Sequence, residues 1–364
     1  MRIGILTIDD QSSYGNRLQN YALQSFLNSN NYDSQSLWWS VNYNLFDKKS
    51  FNLKEKIKFI LDYHNFQRSI SYNYPLQELR KFQIKKFTDK NINTSVVSSL
   101  DNVNNDYDFF ITGSDQNWNP LFWKNKKKYA RAMFLQFTNK EKRVAYASSF
   151  GLSNLPKKYE YMFAKYIDSI EHISVREYSA ARIIKNLTGR DVPVVLDPTL
   201  LISTEHWQSI EEKPEWYDGS KYVLTYFLGQ MPETIVTYAK KRNIKLFNIN
   251  DKSNIKIYSS KLEEFIYLIH HSEMFFTDSF HGSVFAILFK KPFVVLDRQQ
   301  KGVPNMSSRI DTLWKTFHLN ERCHSFISDQ VDFDKIMNTD YSNLDHDLDI
   351  NRKISRDFIF SSLH

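Results

Sequence analysis

The sequence predicts an α/β protein of two parallel-sheet domains facing each other across a cleft. Three observations carry that expectation. Short apolar runs alternate with helix-length segments, the order that builds strand–helix–strand units and parallel sheets. The alternation restarts after Glu211–Ser220, a stretch holding Pro214 and Gly219 that reads as a hinge. A chain of 364 residues is long for one core and comfortable for two. The expected organisation is an N-terminal domain over residues 1–210 and a C-terminal domain over 211–345. A terminal helix over 346–364 is placed to pack back on the first domain.

In the first half, Arg2–Ile8 reads as a strand, Asp9–Gly15 as a polar loop and Asn16–Leu27 as a helix. Leu18, Tyr21, Ala22, Leu23 and Phe26 lie on that helix's inward face. Leu37–Trp39 is a second strand. Val41–Val103 is an aromatic-rich insertion with helices near Leu53–Leu61 and Leu76–Phe87. Tyr107–Thr112 is a buried strand, and the basic cluster Lys124–Lys128 with Arg131 reads as a solvated loop. Arg143–Ser149, His172–Val175 and Pro193–Leu196 are further strands, separated by helices at Tyr159–Ile170 and Tyr178–Leu187.

The second half repeats the pattern without repeating the sequence. Tyr222–Leu228, Ile244–Asn248, Met274–Thr277 and Phe293–Leu296 are strands. Pro232–Arg242, Leu262–His270 and Ser283–Phe289 are helices, and Asn351–Leu363 is a terminal helix. Gly302–Arg309 is a polar loop leading into a helix through Trp314.

Chemistry concentrates where strands hand over to helices, since open α/β sheets bind ligands at the carboxyl edge. The turn Asp278–Gly282 puts His281 beside Ser279 and Ser283, where a helix amino end attracts anions. A plain helix cap by Asp278 or Ser279 accounts for the same residues. After the first strand come Tyr14, Asn16, Arg17 and Gln19. After Tyr107–Thr112 comes Gly113-Ser114-Asp115-Gln116-Asn117-Trp118-Asn119, whose carboxylate, amides and indole suit a sugar. Only 9 glycines occur, against roughly 25 at average usage, so each is expected where the backbone needs positive φ or a close approach.

Net charge of +7 favours anionic partners, but no nucleic-acid-binding motif accompanies it. A single cysteine, Cys323, suits a reducing compartment. No stretch reaches the roughly 18 apolar residues of a membrane span. The expectation is a cytoplasmic protein, in weak contact with the anionic inner face of the membrane. Phosphate-loop, GxGxxG and GxSxG motifs are absent, and His270-His271 lacks a recognised metal-ligand spacing. Asp9-Asp10 reads as an acidic loop rather than a cation site.

Several of these segments together resemble one family, the polysaccharide pyruvyl transferases. They are SYGNRLQNYALQ (Ser13–Gln24), DFFITGSDQNWNP (Asp108–Pro120), YASSFG (Tyr146–Gly151), ISVRE (Ile173–Glu177), VVLDPTLL (Val194–Leu201), TDSFHGSVFAILFKKPFV (Thr277–Val294) and NMSSRI (Asn305–Ile310). The resemblance implies two Rossmann-like domains arranged as in B-type glycosyltransferases. It implies phosphoenolpyruvate as donor substrate, no cofactor and no metal, and transfer to two hydroxyls of a surface-polysaccharide sugar as a cyclic ketal. The acceptor is expected to be lipid-linked. His281 matches the family's active-site histidine, and Arg176 and Arg309 match arginines of the ISVRE and NxxSRI segments. With them, Ser279, Gly282 and Ser283 form the expected donor side. Tyr14, Asn16, Gln19, Ser114, Asp115 and Gln116 form the expected acceptor side. The competing reading is a metal-independent glycosyltransferase of the same architecture with a nucleotide-sugar donor.

Overall fold

The structure, a computed structural model, describes residues 1–39, 76–123, 126–298, 307–319, 323–324 and 336–364. The helix expected at Leu53–Leu61, Gly302 and Lys124 of the basic cluster lie outside these residues.

Two parallel sheets organise the chain. The first contains β1 (Arg2–Leu6), β2 (Asp33–Trp39), β3 (Thr94–Val97), β4 (Phe109–Thr112), β5 (Arg143–Ser148) and β6 (His172–Val175). Their order is β3-β2-β1-β4-β5-β6. The second contains β7 (Tyr222–Tyr226), β8 (Lys245–Asn248), β9 (Met274–Thr277), β10 (Phe293–Leu296) and β11 (Cys323–His324), in the order β11-β10-β9-β7-β8. Every strand pair is parallel. The central strands β5, β7, β9 and β10 are buried at every residue. Such strands need helices on both faces, which is why they read as unbroken apolar runs.

Both strand orders are of the doubly wound, Rossmann-like kind. Each reverses direction once, between β1 and β4 in the first sheet and between β7 and β9 in the second. At such a reversal the loops leaving the two strands diverge and leave a crevice. The residues after β1, β4 and β9 contribute to the candidate site.

The two halves pack against each other. One hydrophobic cluster runs from Leu18, Leu23 and Tyr146 through Trp207 to Phe265, Phe285 and Val295. Tyr14 is fully buried, stacks on Phe265 at 4.6 Å and donates to the Ser260 carbonyl at 2.6 Å. Arg80 crosses from the helix Leu76–Asn91 to donate to the Tyr258 carbonyl at 2.8 Å and Asn250 Oδ1 at 2.6 Å. The helix Leu344–Ser362 lies against the first half, with Ser355 Oγ accepting from Leu196 N and Arg352 Nε donating to the Leu200 carbonyl.

Several local expectations change. Lys126–Met133 is a helix, not a loop, because Tyr129, Ala130, Ala132 and Met133 supply a buried face while Lys127 and Lys128 are exposed. Pro193–Leu196 contributes only one bridge, Val175 to Val194, before Asp197 turns the chain into the helix Pro198–Leu201. Thr94–Val97 is a strand inside the insertion, pairing with β2. Gly15 and Gly282 lie in the first turns of helices, not in loops.

Candidate active site

The site forms where several chain segments meet. The helix Phe280–Leu288 follows β9, and Ser279 caps it by accepting from Gly282 N at 3.3 Å. Asp278 faces away from that cap and binds Leu228 N and Gly229 N instead. The cap exposes Phe280 and His281 to the first half of the chain. There the helix Tyr14–Ser29 begins against the imidazole. A Cβ added at Gly15 would lie 2.2 Å from His281 Nδ1. Only a residue without a side chain allows that approach.

Below the imidazole lies a buried charge cluster. Asp197 Oδ1 accepts from Thr199 N and Thr199 Oγ1, which fixes the carboxylate as an N-cap. Its Oδ2 receives Arg176 Nη1 at 2.5 Å and Ser114 Oγ at 3.0 Å, and lies 3.6 Å from His281 Nε2. Arg176, the first residue after β6, also approaches Asp115 Oδ1 at 3.5 Å through Nη2. Asn16 Nδ2 donates to the other oxygen of Asp115 at 2.9 Å. The Phe280 ring lies beneath two cations, Arg176 at 4.3 Å and Arg309 at 5.5 Å.

Burial alone would raise the Asp197 carboxyl, but the charges of His281 and Arg176 hold it far below the usual carboxylate range. The same contest, with Arg176 and then His281 opposing burial, holds Asp115 below its ordinary value. Burial, reinforced by Arg176, pushes the Arg309 guanidinium down to about 10, so it stays charged at neutral pH. Burial pushes Glu177 up against the pull of Arg176 and Arg309. Glu177 Oε1 accepts from Ser149 Oγ, Phe150 N and Gly151 N, a brace for the loop after β5.

Arg176 Nε has no hydrogen-bond partner among the described residues, and Arg176 Nη2 and His281 Nε2 have only the long ion-pair contacts to Asp115 and Asp197. Leaving a buried donor unmade costs roughly 1–3 kcal/mol, and more for charged groups. An anion that accepts from both sides of the arginine fork would satisfy them. A small pocket bordered by Arg176, Asp197, Phe280, Thr312 and Asn351 adjoins the cluster.

Of the residues singled out from sequence, the fold brings together His281, Arg176, Arg309, Ser114, Asp115 and Asn16. The others are turned elsewhere. Tyr14 is committed to the packed interior between the sheets. Gln19 braces the site from behind, accepting from Ser114 N at 3.3 Å and donating to Thr7 Oγ1. Gln116 Oε1 accepts from Asn119 Nδ2 and rests on Gly151. Ser279 and Ser283 spend their hydroxyls on the helix's own backbone, and Gly282 packs on Phe275 and Thr277. Asp197, Phe280 and Gly15 complete the site and were missed. The Asp-Pro-Thr signature after an apolar run was the available sign of a buried capping carboxylate.

A family model described as polysaccharide pyruvyl transferase matches residues 14–300, which hold Asn16, Asp115, Arg176, Asp197 and His281. The chain belongs to the polysaccharide pyruvyl transferase family. It is accordingly a transferase. No curated protein matches the sequence. Among solved structures, this family member is similar to a UDP-GlcNAc 2-epimerase from Neisseria meningitidis bound to UDP-GlcNAc, with TM-score 0.45 and 14% identity, covering 99% of this chain and 100% of that one. A UDP-N-acetylglucosamine 2-epimerase from Rickettsia bellii gives TM-score 0.47 and 9% identity, covering 100% and 97%. The E. coli ADP-heptose lps heptosyltransferase II gives TM-score 0.34 and 10% identity, covering 98% and 100%.

Proposed function

We propose that this transferase moves the pyruvyl group of phosphoenolpyruvate onto two hydroxyls of one sugar, forming a cyclic ketal and releasing phosphate. The observation that supports it best is the arrangement of Arg176 and Arg309 over one phenyl ring, beside His281, with the Arg176 fork and His281 Nε2 still able to donate. Phosphoenolpyruvate carries a carboxylate and a phosphate, and two guanidinium groups match two such anions.

In this scheme His281 delivers a proton to the methylene carbon of the donor, which becomes the ketal methyl. The adjoining carbon, left electron-poor, is attacked by the first sugar hydroxyl. The second hydroxyl displaces phosphate, so two C–O bonds form and the C–O bond to phosphate breaks. Of the two protons released by the sugar, one replaces that given by His281 and the other leaves with phosphate. Asp197, kept ionised, sits where it stabilises the imidazolium in each cycle. Asp115, oriented by Asn16, is the acceptor-side carboxylate. The scheme calls for no metal or redox cofactor.

The acceptor in this reading is a sugar of a surface polysaccharide or its lipid-linked precursor. No helix among the described residues is long and apolar enough to cross a membrane. Contact with a lipid surface would instead use an exposed face of the first half. Leu121, Phe122 and Tyr161 are exposed there, close to Lys127, Lys128, Lys157, Lys158 and Lys165, with Trp123 stacked on Phe163 to join the two segments. Donor choice tests the proposal against a nucleotide-sugar transferase. Phosphate release from phosphoenolpyruvate that depends on acceptor supports it, and nucleotide release from a nucleotide sugar overturns it.

A further inference from the structure

Away from this cluster, the start of the connector between the sheets meets the end of the helix Leu262–His270. Glu211 caps the helix Thr204–Ile210 and turns its carboxylate onto two neighbouring imidazoles. His270 Nδ1 lies 2.9 Å from Glu211 Oε2, and His271 Nε2 lies 3.1 Å from Glu211 Oε1. The three ligand atoms lie within 4.8 Å of one another. Consecutive residues at a helix end usually point apart. Here each ring is held in place by stacking, His270 on Phe289 at 4.4 Å and His271 on Tyr267 at 4.0 Å.

We propose that Glu211, His270 and His271 bind one divalent transition cation, with Zn²⁺ as the best-matched ion, and that the ion fastens the connector to the second sheet's helical layer. Two imidazole nitrogens and one carboxylate are a common zinc donor set, and they leave a fourth position for water. Zinc–ligand bonds of about 2.0–2.2 Å place tetrahedral ligand atoms roughly 3.3–3.6 Å apart. To admit the ion at those spacings, the two observed contacts would open by about half an ångström, and the wider separations among the three ligand atoms, at most 4.8 Å, would close by about 1–1.5 Å. Gln208 lies 3.4 Å from His270 Nε2; ligation through Nδ1 leaves a proton on Nε2, which the Gln208 amide accepts once its oxygen is turned toward the ring. The connector already returns to the same helix through Glu212, whose N donates to the Glu263 carbonyl and whose carboxylate meets Lys261 Nζ at 2.5 Å. An ion at Glu211 would pin its other flank. Phe289, on which His270 stacks, caps the opposite end of the helix that begins at Phe280, so the site does not touch His281 or depend on the proposed donor.

The test uses the full chain after dialysis against a chelator, titrated with Zn²⁺ in competition with a chromophoric chelator, with Tm read in parallel. One equivalent should bind, and Tm should rise. Glu211→Gln keeps the side chain's shape but removes the charge. His271→Phe keeps a ring against Tyr267 but removes the nitrogen. Loss of a direct ligand should weaken binding by at least the roughly 10–100-fold that loss of an outer-shell partner costs. Both variants should lose the zinc-dependent rise in Tm. Parent protein that binds no Zn²⁺, or binding and Tm shifts that are unchanged in both variants, would overturn the proposal.

Discussion

Gly15→Ala offers a sharp probe of how the two halves meet. The added Cβ would sit 2.2 Å from His281 Nδ1, 2.4 Å from Cγ and 2.7 Å from Cβ. Non-bonded heavy atoms rest at about 3.5–4.0 Å, so the imidazole must retreat by roughly 1 Å or more. Rotating the ring brings no relief, because the clash extends to His281 Cβ; the two backbones must separate. Overpacking of this kind costs about 1–3 kcal/mol, and alanine's better helix propensity returns up to about 1 kcal/mol. The net stability loss is therefore about 0–3 kcal/mol, and the variant should fold. Activity should respond more strongly, because a 1 Å misplacement at a reacting group can cost on the order of 10²-fold. Steady-state phosphate release from phosphoenolpyruvate, read beside Tm, measures both. A kcat within about threefold of the parent would show that the Gly15–His281 contact does not set the reactive geometry.

Three further outcomes follow from the same cluster and its surroundings. Asp197→Asn leaves buried Arg176 and His281 without their shared carboxylate, and breaking such a pair costs about 3–5 kcal/mol. Because the Asp197 carboxyl is depressed in the folded state, its contribution is complete above the ordinary carboxylate value and is lost as pH falls below it. Denaturant melts should therefore show the parent–variant gap narrowing below about pH 4, and a constant gap would contradict the linkage. Arg176→Lys and Arg309→Lys keep charge but lose the planar fork, so the rise in Tm given by phosphoenolpyruvate should shrink in each; an undiminished rise in both would count against donor binding there. Binding to anionic vesicles should fall as salt rises and weaken in Lys157→Glu with Lys158→Glu, since exposed charges are screened within about 8 Å at physiological ionic strength. Salt-insensitive binding would remove the membrane face from the account.

Most of the fold was legible because parallel strands covered on both faces leave unbroken apolar runs, as in Phe109–Thr112, Tyr222–Tyr226 and Met274–Thr277. Elements with weaker patterns were missed. The four residues Thr94–Val97 form an edge strand with Val96 exposed, so no apolar run marks them. The helix Lys126–Met133 hides its periodicity behind three consecutive lysines. The site was half legible for a related reason. Charged residues at strand ends, such as Arg176 and Asp115, stand out in sequence. Which side of a loop a residue faces is set by tertiary packing. Tyr14 and Gln19 therefore serve the scaffold behind the loop, while Gly15 and Asn16 between them face the histidine and Asp115. Asp197 went unnoticed because its importance comes from partners distant in sequence, Ser114 and His281.

The most direct test of the central claim is mass spectrometry of candidate lipid-linked oligosaccharides after incubation with phosphoenolpyruvate in D₂O. Parent protein should add one pyruvylidene group whose methyl carries deuterium from solvent, with one phosphate released per ketal. His281→Asn keeps a hydrogen-bond donor but cannot shuttle the proton, and should slow that gain by roughly 10²–10⁴-fold. A sugar-mass gain that requires a nucleotide sugar, or normal ketal formation by His281→Asn, would contradict the account.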